Sequence, residues 1–232
     1  MKRGILFLSL ILFSVSVFSQ AVRDRQVIPV AVNLNQVLRM TITNGGNIEF
    51  VFNSIDDYRN GLSADAASGA ANPAGSEAFY QTDFTIASST RWLLEYGSEQ
   101  ATFIGTDDPV NNQLALDNVG FTLVSTGTHA FGAAGGAQGD PGTSLFSAPT
   151  NNGNDVTALQ IYPVSLIEDN DDLTISNAGD ATENSFSILW RCGTGEDAGT
   201  TPMETESLLN QQPSPNPDRY VTNVLFELAV DN

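Results

Sequence analysis

Beyond Lys2 the chain has no lysine, and in 232 residues it has one cysteine, Cys192, and one histidine, His129. The arginines after residue 19 (Arg23, Arg25, Arg39, Arg59, Arg91, Arg191 and Arg219) are dispersed. Binding to nucleic acid releases counterions only where basic side chains cluster, so nucleic acid and anionic membrane surfaces are excluded as expected partners. A lone cysteine cannot staple the fold within one chain, so stability must come from an apolar core. One histidine and one cysteine are poor material for a zinc centre. A catalytic triad would have to be built around His129, and no G-x-S-x-G elbow accompanies it. The pairs Asp56-Asp57, Asp107-Asp108 and Glu196-Asp197 sit in loop-like stretches, where adjacent acids are ordinarily solvated rather than set up as the two carboxylates of a glycosidase. No catalytic residue is assigned, and the chain is not expected to be an enzyme.

What the chain does have is acid, aromatic residues and a polarised start. Lys2 and Arg3 precede an apolar stretch over residues 5–18, and Val17 and Ser19 suit the small-residue pockets of a signal peptidase. The stretch falls short of the roughly twenty residues that cross a bilayer as a helix. Residues 1–19 are therefore expected to be a signal peptide cleaved before Gln20, with the product secreted, at the cell surface or in the periplasm, and not inserted in a membrane. All 27 acidic residues lie after this segment with seven basic ones, a net charge of −20. That charge fits a solvated acidic surface.

Apolar residues recur at every second position in short runs bounded by Gly, Asn, Asp and Pro, the signature of half-buried strands. Leu38, Met40 and Ile42 read as one strand and Ile48, Phe50 and Phe52 as another. Asn44-Gly45-Gly46 between them predicts a local three-residue hairpin with Thr41 opposite Glu49. Further strands are expected at residues 84–87, 92–96, 119–123, 156–162, 173–176 and 186–190, with one long closing strand over 220–230. The pattern predicts an all-β fold: residues 20–232 form a single antiparallel β-sandwich of about ten strands with long Gly-, Ala-, Asn- and Pro-rich loops. Three stretches, 62–78, 130–154 and 193–218, are too poor in apolar residues to offset their ordering entropy and read as long loops. A helical turn is expected within 204–210.

Three places carry functional readings. The densest acidic cluster includes Glu168, Asp169, Asp171 and Asp172. Crowded oxygen ligands in a turn suit calcium, the one cofactor considered, yet EF-hand spacing is missing and an exposed acidic turn is the simpler reading. Trp92, Tyr96, Tyr162 and Trp190 could stack on a glycan, but Trp92 and Trp190 fall in phase with apolar neighbours and read as core. The third place is the start of the mature chain, where a polar arm (20–26) leads into Ile28, Val30, Val32 and Leu34, alternating with Pro29, Ala31 and Asn33. Proline restricts such a strand to a sheet edge. It is either the first edge strand of its own sandwich or a strand that adds to a neighbouring subunit.

The export signal, this N-terminal strand, the Trp190-Arg191-Cys192-Gly193-Thr194 turn and the Tyr220-x-x-x-Val224 closing strand together resemble subunits of bacterial surface fibres and pilin-like adhesins. One cysteine in place of a pair and a greater length depart from the common pilin pattern. The resemblance implies a structural or adhesive protein whose partners are copies of itself or other surface proteins.

Overall fold

The computed structural model describes residues 28–64, 80–131, 144–147, 156–169, 176–196 and 201–231. The expected signal peptide and polar arm, with Asp171, Asp172 and Leu173, lie outside them. The chain divides into two units, Met1–Asn35 and Gln36–Asn232. Within the first, residues 28–35 carry no strand, so the expected edge strand is not part of any sheet.

The second unit is nearly all β. Its strands are β1 (Leu38–Asn44), β2 (Leu62–Ser63), β3 (Gln81–Ser88), β4 (Trp92–Ser98), β5 (Thr102–Gly105), β6 (Gln113–Ala115), β7 (Val119–Ser125), β8 (Ala130–Phe131), β9 (Ser144–Ser147), β10 (Thr157–Ala158), β11 (Val164–Asp169), β12 (Ser185–Cys192), β13 (Tyr220–Val221) and β14 (Val224–Val230). One sheet runs β1-β3-β12-β7-β10, with β2 also on β12. A second runs β14-β4-β11-β9-β8, and a small third runs β13-β5-β6.

Period-two alternation decides which faces meet. Along β3, Thr82, Phe84, Ile86 and Ser88 are buried and the residues between them are not. In the first sheet Phe84 pairs with Phe186 and Phe121 with Trp190. The second sheet contributes Trp92, Leu94, Tyr96, Leu166 and Ile167 to the same core. Rings meet across the layers: Tyr96 sets its edge on Phe121 at 5.1 Å, Trp92 on Phe186 at 6.0 Å, and Phe226 lies 6.3 Å from Phe84. Edge-on contacts match the positive rim of one ring to the negative face of the next. The all-β antiparallel sandwich read from the sequence is the fold, apart from one short parallel pairing of β8 with β9.

Three local expectations are corrected. The hairpin between residues 38–42 and 48–52 does not form: β1 pairs with β3, Met40 opposite Ile86 and Ile42 opposite Phe84. Residues 48–53 carry no strand, although Ile48, Phe50 and Phe52 pack on the core. Gly45 takes a left-handed conformation (φ 64°), and a side chain there would also collide with the Gln81 carbonyl, so the position requires glycine. The closing run is also not one strand. It breaks at Thr222 and Asn223, and β13 pairs with β5 whereas β14 pairs with β4. Lastly, the third loop is anchored. Met203 is buried with Val156 and Ala158 in a small second core, and Leu208 is buried as well. The turn expected there is present, with Asn210 and Gln211 N–H donating to the Ser207 carbonyl.

A six-residue helix, α1 (Ile55–Asn60), was not expected from the apolar pattern. Ser54 and Asp57 form a capping box, in which the Ser54 hydroxyl accepts from Asp57 N–H and the Asp57 carboxylate accepts from Ser54 N–H. No helix among the described residues is long and apolar enough to cross a membrane.

Candidate functional site

At one flank of the sandwich the outermost strands of the two sheets, β1 and β14, run near each other. Between them opens a crevice of about 640 Å³, floored by Trp190, Cys192, Val119 and Leu159 and walled by residues 45–52, Ile42, Val224 and Phe226. Residues 48–52 alternate inward and outward like a strand but pair with no sheet. Phe50 stacks on Tyr80 at 4.6 Å and Phe52 leans on Tyr58 of α1 at 5.3 Å, which fixes this wall by side chains alone.

In the far wall, residues 215–219, one carboxylate gathers most of the hydrogen bonds. Asp218 accepts hydrogen bonds from Asn112 Nδ2 (2.8 Å) and from the main-chain N–H groups of Arg219 (2.7 Å), Asp107 (3.1 Å) and Thr106 (3.2 Å). The Asn112 amide first, then the N–H groups of Asp107, Arg219 and Asp108, hold its pKa down at about 2, against an ordinary 3.8. A pKa lower in the folded than in the unfolded chain stabilises the fold above the unfolded value and stops doing so as pH falls through the folded one. Asp218→Asn is therefore expected to be less stable than the wild type at pH 7. The difference should shrink as pH drops from about 4 to about 2, in urea unfolding at a series of pH values; a gap that does not change with pH would exclude this role.

Main-chain chemistry at the flank is set by ladder phase. Glu99 N–H donates to the Asn223 carbonyl and Asp231 N–H to the Arg91 carbonyl. In an antiparallel ladder, hydrogen-bonded pairs alternate. Leu225, Glu227 and Ala229 therefore direct their main-chain groups to β4, while Val224, Phe226, Leu228 and Val230 direct theirs outward. The register along β14 is continuous, without bulge, proline or lysine to blunt it. By contrast, the register of β1 shifts between Ile42 and Asn44.

The residues singled out by sequence take varied positions. In the first unit Ile28, Val30, Val32 and Leu34 are 82, 84, 75 and 91 % exposed. Glu168 is exposed on β11, a strand that also takes in Asp169, so the acidic cluster begins within a strand and not after one. Among the described residues no three His, Cys, Asp or Glu side chains are grouped to hold a metal. Trp92, Tyr96 and Trp190 are buried, as core packing requires, and only Tyr162 of the four aromatic residues reaches solvent. Its hydroxyl donates to Glu227 on β14, a bond that raises the phenol pKa to about 12. His129 Nδ1 bonds the Asn184 amide oxygen at 2.9 Å, a structural contact. Cys192 is buried, and burial raises its thiol to about 12, as an inert cysteine requires.

Sequence reasoning missed the β14 edge and the crevice. The alternation of residues 224–230 shows that one face is apolar and leaves open which strand lies beside it. A scan of the chain against protein-family models gave no match, and a search of curated proteins gave none either.

Proposed function

We propose that the protein is exported by its first nineteen residues and works as a structural or adhesive β-sandwich subunit at the cell surface, assembled by strand addition. One observation carries this reading. Residues 28–34 present four large apolar side chains at alternate positions, all exposed and outside every sheet. Exposed aliphatic residues spaced as a strand forgo burial worth about 1.5–3 kcal/mol each, which pairing with another sheet would recover. The layout of residues 1–19, the acidity of residues 20–232 and the resemblance to surface-fibre subunits support the same reading.

The test is the state of assembly of the chain from Gln20 onward at high concentration. Light scattering and electron microscopy are expected to show oligomers or filaments for the wild type. A variant with Val30→Asp and Val32→Asp is expected to stay monomeric with unchanged circular dichroism. A wild type that remains monomeric, or a variant that assembles equally well, overturns the proposal.

A further inference from the structure

We infer that the acceptor for residues 28–34 is the outer edge of β14 in a second copy of this chain, an inference that rests on the strand-addition reading above. Four observations converge on that edge. It is long, since β14 has seven residues and residues 28–34 are also seven, so the two can pair along their whole length. It is unblunted, whereas the edge of β1 carries a register shift.

The phase also agrees. Val224, Phe226, Leu228 and Val230 offer their N–H and C=O groups outward, and the same four side chains lie on the core side of the sheet. Residues directly opposite in a ladder share a face. If Ile28, Val30, Val32 and Leu34 take the hydrogen-bonded positions opposite these four, all their side chains turn inward. Those beside Val224 and Phe226 then lie over the crevice that these two residues line.

Proline is the fourth observation, because it separates this phase from the alternative. In the phase just described Pro29, Ala31 and Asn33 point their main chain away from β14, so the N–H that Pro29 lacks is not needed. Slipping by one residue would require that N–H and turn all four aliphatic side chains to solvent. At the junction itself charge offers little resistance, since residues 28–34 are uncharged and β14 carries only Glu227, on the outer face.

Amide hydrogen exchange on the full chain tests the assignment. In the Val30→Asp, Val32→Asp variant, the amides of Val224, Phe226, Leu228 and Val230 are expected to exchange as an open edge. Adding a synthetic peptide of residues 26–36 should slow those four at least tenfold, and assembly of the wild type should do the same. A second chain carrying Leu228→Pro removes an outward N–H and no bond to β4. It is expected to stay monomeric alone and to form a one-to-one heterodimer with the double-aspartate variant. Wild-type assemblies in which the four β14 amides still exchange fast would overturn the β14 assignment and leave strand addition standing. Assembly of the double-aspartate variant by itself would instead overturn strand addition.

Discussion

Replacing Asn177 with alanine is expected to cost about 4 kcal/mol of stability and to lower the melting temperature by roughly 10 °C, read by calorimetry or urea unfolding. The side chain is fully buried and acts as a piece of strand. Its Oδ1 accepts from Trp92 N–H at 3.0 Å and its Nδ2 donates to the Trp92 carbonyl at 2.7 Å. Its own carbonyl accepts from the Trp92 indole at 2.8 Å and from Asn184 Nδ2 at 3.0 Å. The pairing of β11 with β4 reaches Leu94 and does not extend to Trp92. The amide fills that place, and alanine removes both of its bonds to buried main chain, each worth about 1–3 kcal/mol when left unmade. Asn177→Asp keeps the acceptor but sets a carboxylate oxygen against the Trp92 carbonyl. Burial and that contact raise its pKa, so the aspartate variant should be destabilised more at pH 7 than at pH 4. A loss under 1 kcal/mol for Asn177→Ala would show that the amide does not complete the ladder.

The second large effect is expected at Glu196. Arg191 on β12 is 3 % exposed, and its Nη1 meets both Glu196 oxygens at 2.8 and 2.7 Å while Nη2 donates to Thr122 Oγ1 at 2.9 Å. Removing one partner of a buried pair strands a charge in a poor solvent, and Glu196→Ala is expected to cost about 3–5 kcal/mol. Most of that cost is desolvation of a guanidinium that has lost this carboxylate, not the net worth of the pair. Arg191→Met combined with Glu196→Leu should therefore recover most of the loss. A double variant as unstable as the sum of the two single ones would reverse that conclusion.

The parts of this fold that are legible in sequence are those that depend on which way a side chain points. Phe84 and Ile86, Trp92 to Tyr96, Phe121 and Leu123, and Phe186 to Trp190 all alternate, and all line the core. Pairing partners are a separate matter. Ile42 and Ile48 satisfy a local hairpin as well as the distant pairing of Ile42 with Phe84, and alternation alone does not choose between them. The two-residue break at Thr222 and Asn223 preserves the alternation on both sides, so a change of sheet leaves the apolar pattern unmarked. Asn177 and Asp218 serve as substitutes for main-chain partners, and amides and carboxylates in loops carry no periodic signal. Of the proposed interface, Ile28, Val30, Val32 and Leu34 are legible directly as an alternating apolar run. The edge and crevice arise only when residues about 190 positions further along the chain fold beside β1.

The strand order of the first sheet has a temporal consequence. β12, from Ser185 to Cys192, lies between β3 and β7, and neither of those touches the other without it. A polypeptide emerging N-terminus first would hold β3, already paired with β1, and β7 without the strand that joins them until Ser185–Cys192 had appeared. Pairings between residues so distant in the chain form slowly, because the entropy of closing the intervening loop is lost before any contact rewards it. This architecture favours a late closure of the first sheet over its stepwise completion during synthesis.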